Sequence, residues 1–412
     1  MAKESIVASI DVGTTKVCTI LAKGSDVDNL QIIGMGVAPA RGMRKGMVVN
    51  MDETMDSIRA SVEKAERNCG VRLVSAFVGI AGSHINCQNN RGIVAITRSD
   101  HLVVAEDVSR VLDSAATISM PGNREVLHVI PRSYILDGQD GIRNPVGMYG
   151  YRLEAEVHII TAAVTSIQNL TKCVNGIGVE IEDLVSQPLA SGEAVVLEEE
   201  RDMGVVLMDM GGGTCDVSIF IDGSIYHTAI LPVGGNNLTN DIAIGLRTPF
   251  ATAEEIKIKH GHALYDAGGG EEGIQVAGFG GDGSYAVPRS RLNEIIRARM
   301  EEVFDMVQLE TKRSGYDAML PAGLVIAGGT ANLKGMEDLG REALGLPVRV
   351  GVPRRLPGLM EGVNDPAYAT GIGLLLWGMK HGGYGSRVRS NGHHLRSVGY
   401  GLLGWLKELF PS

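Results

Sequence analysis

SIVASIDVGTTKVCTILA, residues 5–22, and GVVLMDMGGGTCDVSIFID, residues 204–222, are the two stretches whose reading decides the fold. In each, a run of β-branched and small apolar residues ends in an aspartate, Asp11 or Asp209. A turn rich in glycine and threonine follows, and β-branched residues then resume. That pattern predicts strand, tight turn and second strand. The copies lie roughly half a chain apart, so they predict a duplicated architecture of two related lobes.

The bulk numbers agree. A chain of 412 residues exceeds what one hydrophobic core organises, so at least two lobes with a cleft between them are expected. Apolar periodicity adds helices between the strands, giving an α/β class. Asp52 is read as the cap of a helix carrying Met55, Ile58, Val62 and Ala65 on one face and closed by Gly70. Thr165 or Ser166 begins another that stops at Gly176, and a long one runs from Pro288 to Arg313. Residues 83–162, with a helix near Ala105 to Ile118 and punctuation by Pro121, Pro131 and Pro145, read as an inserted subdomain. Residues 381–394 read as a flexible linker before a short apolar end.

Both glycine turns suit phosphate. Successive backbone N–H groups can form a nest for phosphate oxygens, and only glycine and small residues let the backbone come close enough. Asp11, Gly13, Thr14, Thr15 and Lys16 form one turn; Asp209, Gly211, Gly212, Gly213 and Thr214 form the other. Each alone reads equally well as a tight hairpin, and it is the matched pair that favours a binding site. Asp11 and Asp209 would face each other and hold Mg²⁺ through water, since Mg²⁺ dehydrates reluctantly. A third element, Gly328, Gly329 and Thr330 after the strand Leu324 to Ala327, suits an adenine lying against backbone.

Other chemistries are excluded or weak. No G-x-x-x-x-G-K-[ST] loop occurs, and the G-x-G-x-x-G at Gly278 precedes a strand, so it reads as a hairpin tip on Asp282-Gly283. A net charge of −10 and 4% aromatic residues argue against nucleic acid. The five cysteines are scattered and read as reduced thiols. His260, His262, His393 and His394 lack further ligands nearby, so no metal centre is expected there. No signal peptide or spanning segment is visible, so the body is expected in the cytoplasm.

The ordered set of two phosphate turns and an adenosine element resembles the superfamily of actin, sugar kinases and heat-shock chaperone ATPases. Gln187-Pro188 with Ala190 and Gly192 resembles its first connecting segment, and Asp365 through Gly371 and Gly373 its second. The resemblance implies a two-lobed, ribonuclease H-like ATPase fold that binds ATP with Mg²⁺. It also implies Glu254 and Lys257 near the ribose and base, and Gln187 as the residue orienting an attacking water.

Within that superfamily the chain is similar to the FtsA family over nearly its full length. The carriers are Ser83-His84-Ile85, Leu127-His128 with Ile130-Pro131, Asn144-Pro145 with Gly147-Met148, and Gly234-Gly235 through Asp241; Gly234 joins the nucleotide contacts. The resemblance implies subdomain 1A over residues 1–82, 163–195 and 356–380, and the inserted 1C at 83–162 for self-association and later division partners. Subdomain 2A falls at 196–235 and 309–355, and 2B, contacting the tail of FtsZ, at 236–308. The charges of 2B (Arg289, Arg291, Arg297, Arg299, Glu301, Glu302) read as a solvated helix face. ATP is then a ligand that favours homopolymer assembly, with slow or absent hydrolysis, at a division septum.

The C-terminal end carries its own signal. Val398, Leu402, Trp405, Leu406 and Leu409 share one helical face, with Leu403 and Phe410 beside it. From Arg387 onward four basic residues stand against the single acid Glu408. Residues 395–412 therefore read as an interfacial amphipathic helix for an anionic membrane surface, on the cytoplasmic side. Three rival readings compete with this one. A sugar kinase would need an acceptor-site signature, which is missing. A PilM-type pilus-assembly adaptor shares the core but normally lacks this tail, and an actin-like shape filament lacks the insert.

Overall fold

The computed structural model describes residues 5–265, 273–279, 283–358 and 364–381. The tail at 395–412 and the linker beyond His381 lie outside the described residues. The chain opens with β1 (Ser5–Val12), β2 (Lys16–Gly24) and β3 (Gln31–Pro39), then the short pair β4 (Met43–Arg44) and β5 (Met47–Val48), α1 (Met51–Cys69) and β6 (Ser75–Ile80). The insert follows as β7 (Asn86–Ala95), α2 (Ala105–Ala116), β8 (Arg124–Leu136), β9 (Gln139–Ile142) and β10 (Arg152–Ala163). Next come α3 (Val164–Asn175), β11 (Glu180–Ser186), α4 (Gln187–Val195) and α5 (Glu198–Met203). The second half contains β12 (Val205–Met210), β13 (Cys215–Ile221), β14 (Ser224–Leu231), α6 (Gly235–Gly245), α7 (Phe250–His260), β15 (Gly273–Ala277) and β16 (Ser284–Pro288). It closes with α8 (Arg289–Ser314), β17 (Leu324–Ala327), α9 (Met336–Leu344), β18 (Val348–Val350) and α10 (Ala369–His381).

The duplication extends to topology. One five-stranded sheet runs β3-β2-β1-β6-β11 and the other β14-β13-β12-β17-β18. In both, three antiparallel strands meet two parallel ones, with the join on β1 or β12. These central strands are buried on both faces, so they read as continuous apolar runs. Alternation still divides them. Val7 of β1 and Val205 and Leu207 of β12 join a core shared between the sheets, while Ile10 and Met208 point to the outer cores. Asp11 and Asp209 continue the inward rows by the same period of two.

Between the sheets lie α4 and α10, both in that shared core. Every residue of α10 from Ala369 to Met379 is buried, which explains its unbroken apolarity. The two helices touch at Gly373, where a Cβ would stand 1.6 Å from the Ala190 carbonyl oxygen. The insert forms its own sheet, β7-β10-β8-β9, with α2 closing a separate core over Leu153, Ala155 and Val157.

Several local expectations need correction. Asn50, not Asp52, caps α1: its backbone is extended and its side chain accepts the Glu53 N–H at 3.3 Å, while Asp52 sits inside the first turn. The helix ends as expected at Gly70, at φ 70°. Neither Thr165 nor Ser166 caps α3, which starts at Val164 without a side-chain cap. On α8, Arg297 and Arg299 are not a solvated face. Arg297 bonds Glu301 and reaches Glu342 of α9, and Arg299 pairs with Asp241 of α6, so both join elements that their own helix period does not reveal. β15 and β16 do form the hairpin expected around Gly278, while tip residues 280–282 lie outside the described residues.

Gly373→Ala should cost about 3 kcal/mol or more of stability in urea unfolding, because neither backbone can yield without separating the two sheets. Gly122→Ala, whose Cβ meets open space, should change stability by less than about 0.5 kcal/mol.

Candidate functional site

The two glycine hairpins are the same turn twice. In the first, the Gly13 N–H donates to the Lys16 carbonyl at 3.0 Å; in the second, the Gly211 N–H donates to the Thr214 carbonyl, also at 3.0 Å. The hairpins face each other at close range. A Cβ on Gly212 would lie 1.8 Å from Thr15 Oγ1, and one on Gly213 2.5 Å from Thr14 Oγ1. Only glycine permits that approach. Thr14 Oγ1 is itself braced by the Gly46 N–H at 3.1 Å, from the loop between β4 and β5.

Around the hairpins lies a cleft of about 300 Å³. Asp11, Gly13, Thr14, Thr15, Lys16, Gln187, Asp209, Gly211, Gly212, Gly213 and Thr214 all line it, as do Glu254, Lys257, Gly328, Gly329 and Thr330. The site residues read from sequence therefore converge, with one exception. Gly234 packs behind the second turn, where a Cβ would meet the Gly212 carbonyl at 2.6 Å, and it caps α6 rather than lining the space. The membrane set Val398, Leu402, Leu403, Trp405, Leu406, Leu409 and Phe410 lies outside the described residues.

Each carboxylate is held by the start of a central helix. Gln187 Nε2, at the first position of α4, donates to Asp11 Oδ1 at 2.9 Å. Thr370 Oγ1, in the first turn of α10, donates to Asp209 Oδ2 at 3.3 Å. Lys16 Nζ donates to the Ala367 carbonyl at 2.5 Å and stands 3.8 Å from the Tyr368 ring centroid. Opposite, Lys257 Nζ bonds Glu254 at 2.7 Å and Thr239 Oγ1 at 2.8 Å, which locks α7 to α6 on the second lobe's side of the cleft.

A third carboxylate escaped the sequence reading. Asp216 pairs directly with Asp209 across β12 and β13 and so shares its inward face. The signal was present in the spacing: seven residues across a four-residue turn place both on one side of the hairpin. Asp216 is buried and its Oδ1 finds no hydrogen-bond partner among the described residues.

The electrostatics follow from this crowding. Burial pushes Asp11 up to about 7, against the pull of Lys16 and with the charge of Asp209 adding to the rise. Burial likewise raises Asp209, and it raises Asp216 well above the usual carboxylate range, with Asp209 contributing. Three buried acids with one neighbouring lysine fit a divalent cation. Among the described residues no three such groups stand close enough to chelate a metal directly, so the donor set suits a hydrated ion. Glycine turns without room for a Cβ suit phosphate. Mg²⁺ with a nucleoside polyphosphate thus fits the residues present.

Two sheets of one topology, each sending a carboxylate from its central strand into the cleft between them, define an actin-like ATPase fold. The PilM–PilN type IV pilus biogenesis complex contains a similar chain, with TM-score 0.66 and 16% identity over 90% of this chain and 98% of that one. MreB5 of Spiroplasma citri, solved bound to ADP, matches with TM-score 0.56 and 12% identity over 90% of this chain and 95% of that one. Sequence goes further. The profile of the cell division protein FtsA matches residues 206–373, and that of the SHS2 domain inserted in FtsA matches residues 82–161. The cell division protein FtsA of Pseudomonas aeruginosa is 43% identical over 375 residues, covering 91% of this chain and 89% of its own. That of Neisseria meningitidis is 39% identical over 407 residues, covering 98% of each. The chain belongs to the FtsA family of cell division proteins.

Asp11→Asn should stabilise the nucleotide-free chain with a defined pH dependence. The raised acid holds its proton in the folded state up to about pH 7, whereas the unfolded chain releases it near 3.8. Wild-type stability therefore falls as pH rises between those values, and the neutral amide escapes that loss. Thermal unfolding should show no advantage for Asp11→Asn below pH 4, a growing one up to pH 7 and a plateau above. An advantage that ignores pH would sink this electrostatic account.

Proposed function

We propose that this chain binds ATP with Mg²⁺ in the cleft, assembles with copies of itself and tethers FtsZ filaments to the cytoplasmic face of the cell membrane at the division septum. The observation that carries the reading is the convergence of Asp11, Asp209 and Asp216 with two matched glycine turns, in a chain of the FtsA family. Thr14, Thr15 and the Gly211–Gly213 turn would hold the phosphates, Glu254 and Lys257 the ribose and base, and Gly328 to Thr330 the adenine. Bound Mg²⁺ would supply the positive charge that the three carboxylates lack. Gln187, which bonds Asp11, would orient the attacking water, and hydrolysis would be slow or absent, with assembly as the main output.

In this reading residues 83–162 serve self-association and later division partners, and residues 236–308 meet the FtsZ tail. Residues 395–412 supply the membrane contact. Their three glycines weaken a helix in water by roughly 1 kcal/mol each, so it folds on the bilayer. One such helix binds weakly, and alignment of protomers multiplies the attachment. Among the described residues no helix is long and apolar enough to cross a membrane. The pilus-adaptor alternative rests on likeness of fold at 16% identity, which carries no function with it.

Liposome co-sedimentation is the test. The full chain should pellet with anionic vesicles more strongly when ATP and Mg²⁺ are present. A chain ending before Ser397 should stay in the supernatant under all conditions. Asp209→Asn should keep basal vesicle binding while losing most of the nucleotide-dependent increment, and equal pelleting by both chain lengths would remove the tail from the mechanism.

A further inference from the structure

The start of α4 has an anchor that neither the nucleotide site nor the helix itself supplies. Its N-cap residue, Ser186, makes no side-chain cap bond, and its hydroxyl has no partner among the described residues. Besides its ladder partner Ile80 of β6, the backbone there is held by His128, a β8 residue reaching out of the inserted sheet. The Ser186 N–H donates to His128 Nε2 at 3.1 Å, both groups being buried. The next residue is Gln187, whose Nε2 reaches Asp11. A single peptide unit thus links the insert to the cleft.

His128 is held in turn from the far end of α10. The Trp377 ring packs against it edge-on at 5.4 Å, and His381 stacks on Trp377 at 4.0 Å. Beside them Lys380 donates to Glu193 of α4 at 2.6 Å, a carboxylate that also accepts from Arg201. The first turn of α10 holds Thr370 on Asp209, roughly 10 Å from Trp377 and 16 Å from His381 along the helix axis. Burial keeps His128 neutral, pushing it down to about 3, with the charge of His381 adding to the fall, so Nε2 stays available as an acceptor.

Resting on the cleft as a nucleotide site, we propose that His128 is a positioning residue for Gln187. Through the Ser186 amide it fixes the start of α4, so the inserted sheet and the C-terminal end of α10 set the geometry that Asp11 meets. Shifting the inserted sheet that carries His128, or the end of α10 that packs on it, loosens Gln187 without touching any group that contacts nucleotide.

A double-mutant cycle on the full-length chain tests this. MgATP and MgADP dissociation constants are measured by equilibrium titration for wild type, His128→Ala, His128→Gln, Gln187→Ala and the His128→Ala/Gln187→Ala pair. Amide hydrogen exchange across residues 180–190 is followed without nucleotide. His128→Ala should weaken MgATP by about fivefold to tenfold, the scale of one lost buried hydrogen bond. Gln187→Ala should do the same, the pair should be no worse than either alone, and exchange at Ser186 and Gln187 should rise several-fold in His128→Ala. His128→Gln, which keeps an acceptor, should recover most of both. Additive losses, or wild-type affinity with unchanged exchange in His128→Ala, would overturn the proposal while leaving the cleft reading intact. Wild-type protein that binds neither nucleotide would overturn the cleft reading, and this proposal with it.

Discussion

The contact between α4 and α10 is the constraint on which the rest of the molecule depends. Both helices fill the gap between the two duplicated sheets, and Gly373 against the Ala190 carbonyl sets how closely they cross. Each helix begins at an aspartate of a different sheet, Gln187 at Asp11 and Thr370 at Asp209. Because the helices cannot separate without opening the shared core, the two carboxylates are held in register with one another. Close packing of this kind moves as a unit rather than deforming smoothly.

That register is costly to the folded chain. Asp11, Asp209 and Asp216 are removed from water beside a single lysine, and all three carboxyl groups are raised by burial. Burying unpaired charge opposes folding, so a site of this kind makes sense where a cation relieves it. In the function proposed above, the same residues that lower the stability of the empty chain would give a Mg²⁺-bound ligand its hold. A ligand that binds this arrangement better than an opened one shifts the lobes toward it by its differential affinity alone.

The insert shows how one fold is turned to a new use. Its sheet has its own core, yet it is tied to the rest at defined points: His128 to Ser186, His158 to Thr228, and Ser224 Oγ to the Pro131 carbonyl. Two of these ties end on the second lobe, at Ser224 and Thr228, and one ends at the start of α4. The insert therefore touches both halves of the cleft's frame.

Sequence alone determined what depends on neighbours along the chain. The two hairpins, their glycine turns, the helix period of α8 and the closure of α1 at Gly70 are local, since strand alternation and turn chemistry are decided within a few residues. Duplication then implied two lobes and a shared cleft, and the motif order implied the family. Tertiary structure decided the rest. Gln187 meets Asp11 across 176 residues, Thr370 meets Asp209 across 161 and Ser186 meets His128 across 58, and no period or propensity encodes such pairings. Asp216 lay between the two cases: its spacing from Asp209 was legible, but the burial that leaves its Oδ1 unpaired among the described residues appears only once both sheets and the helices between them have closed around it.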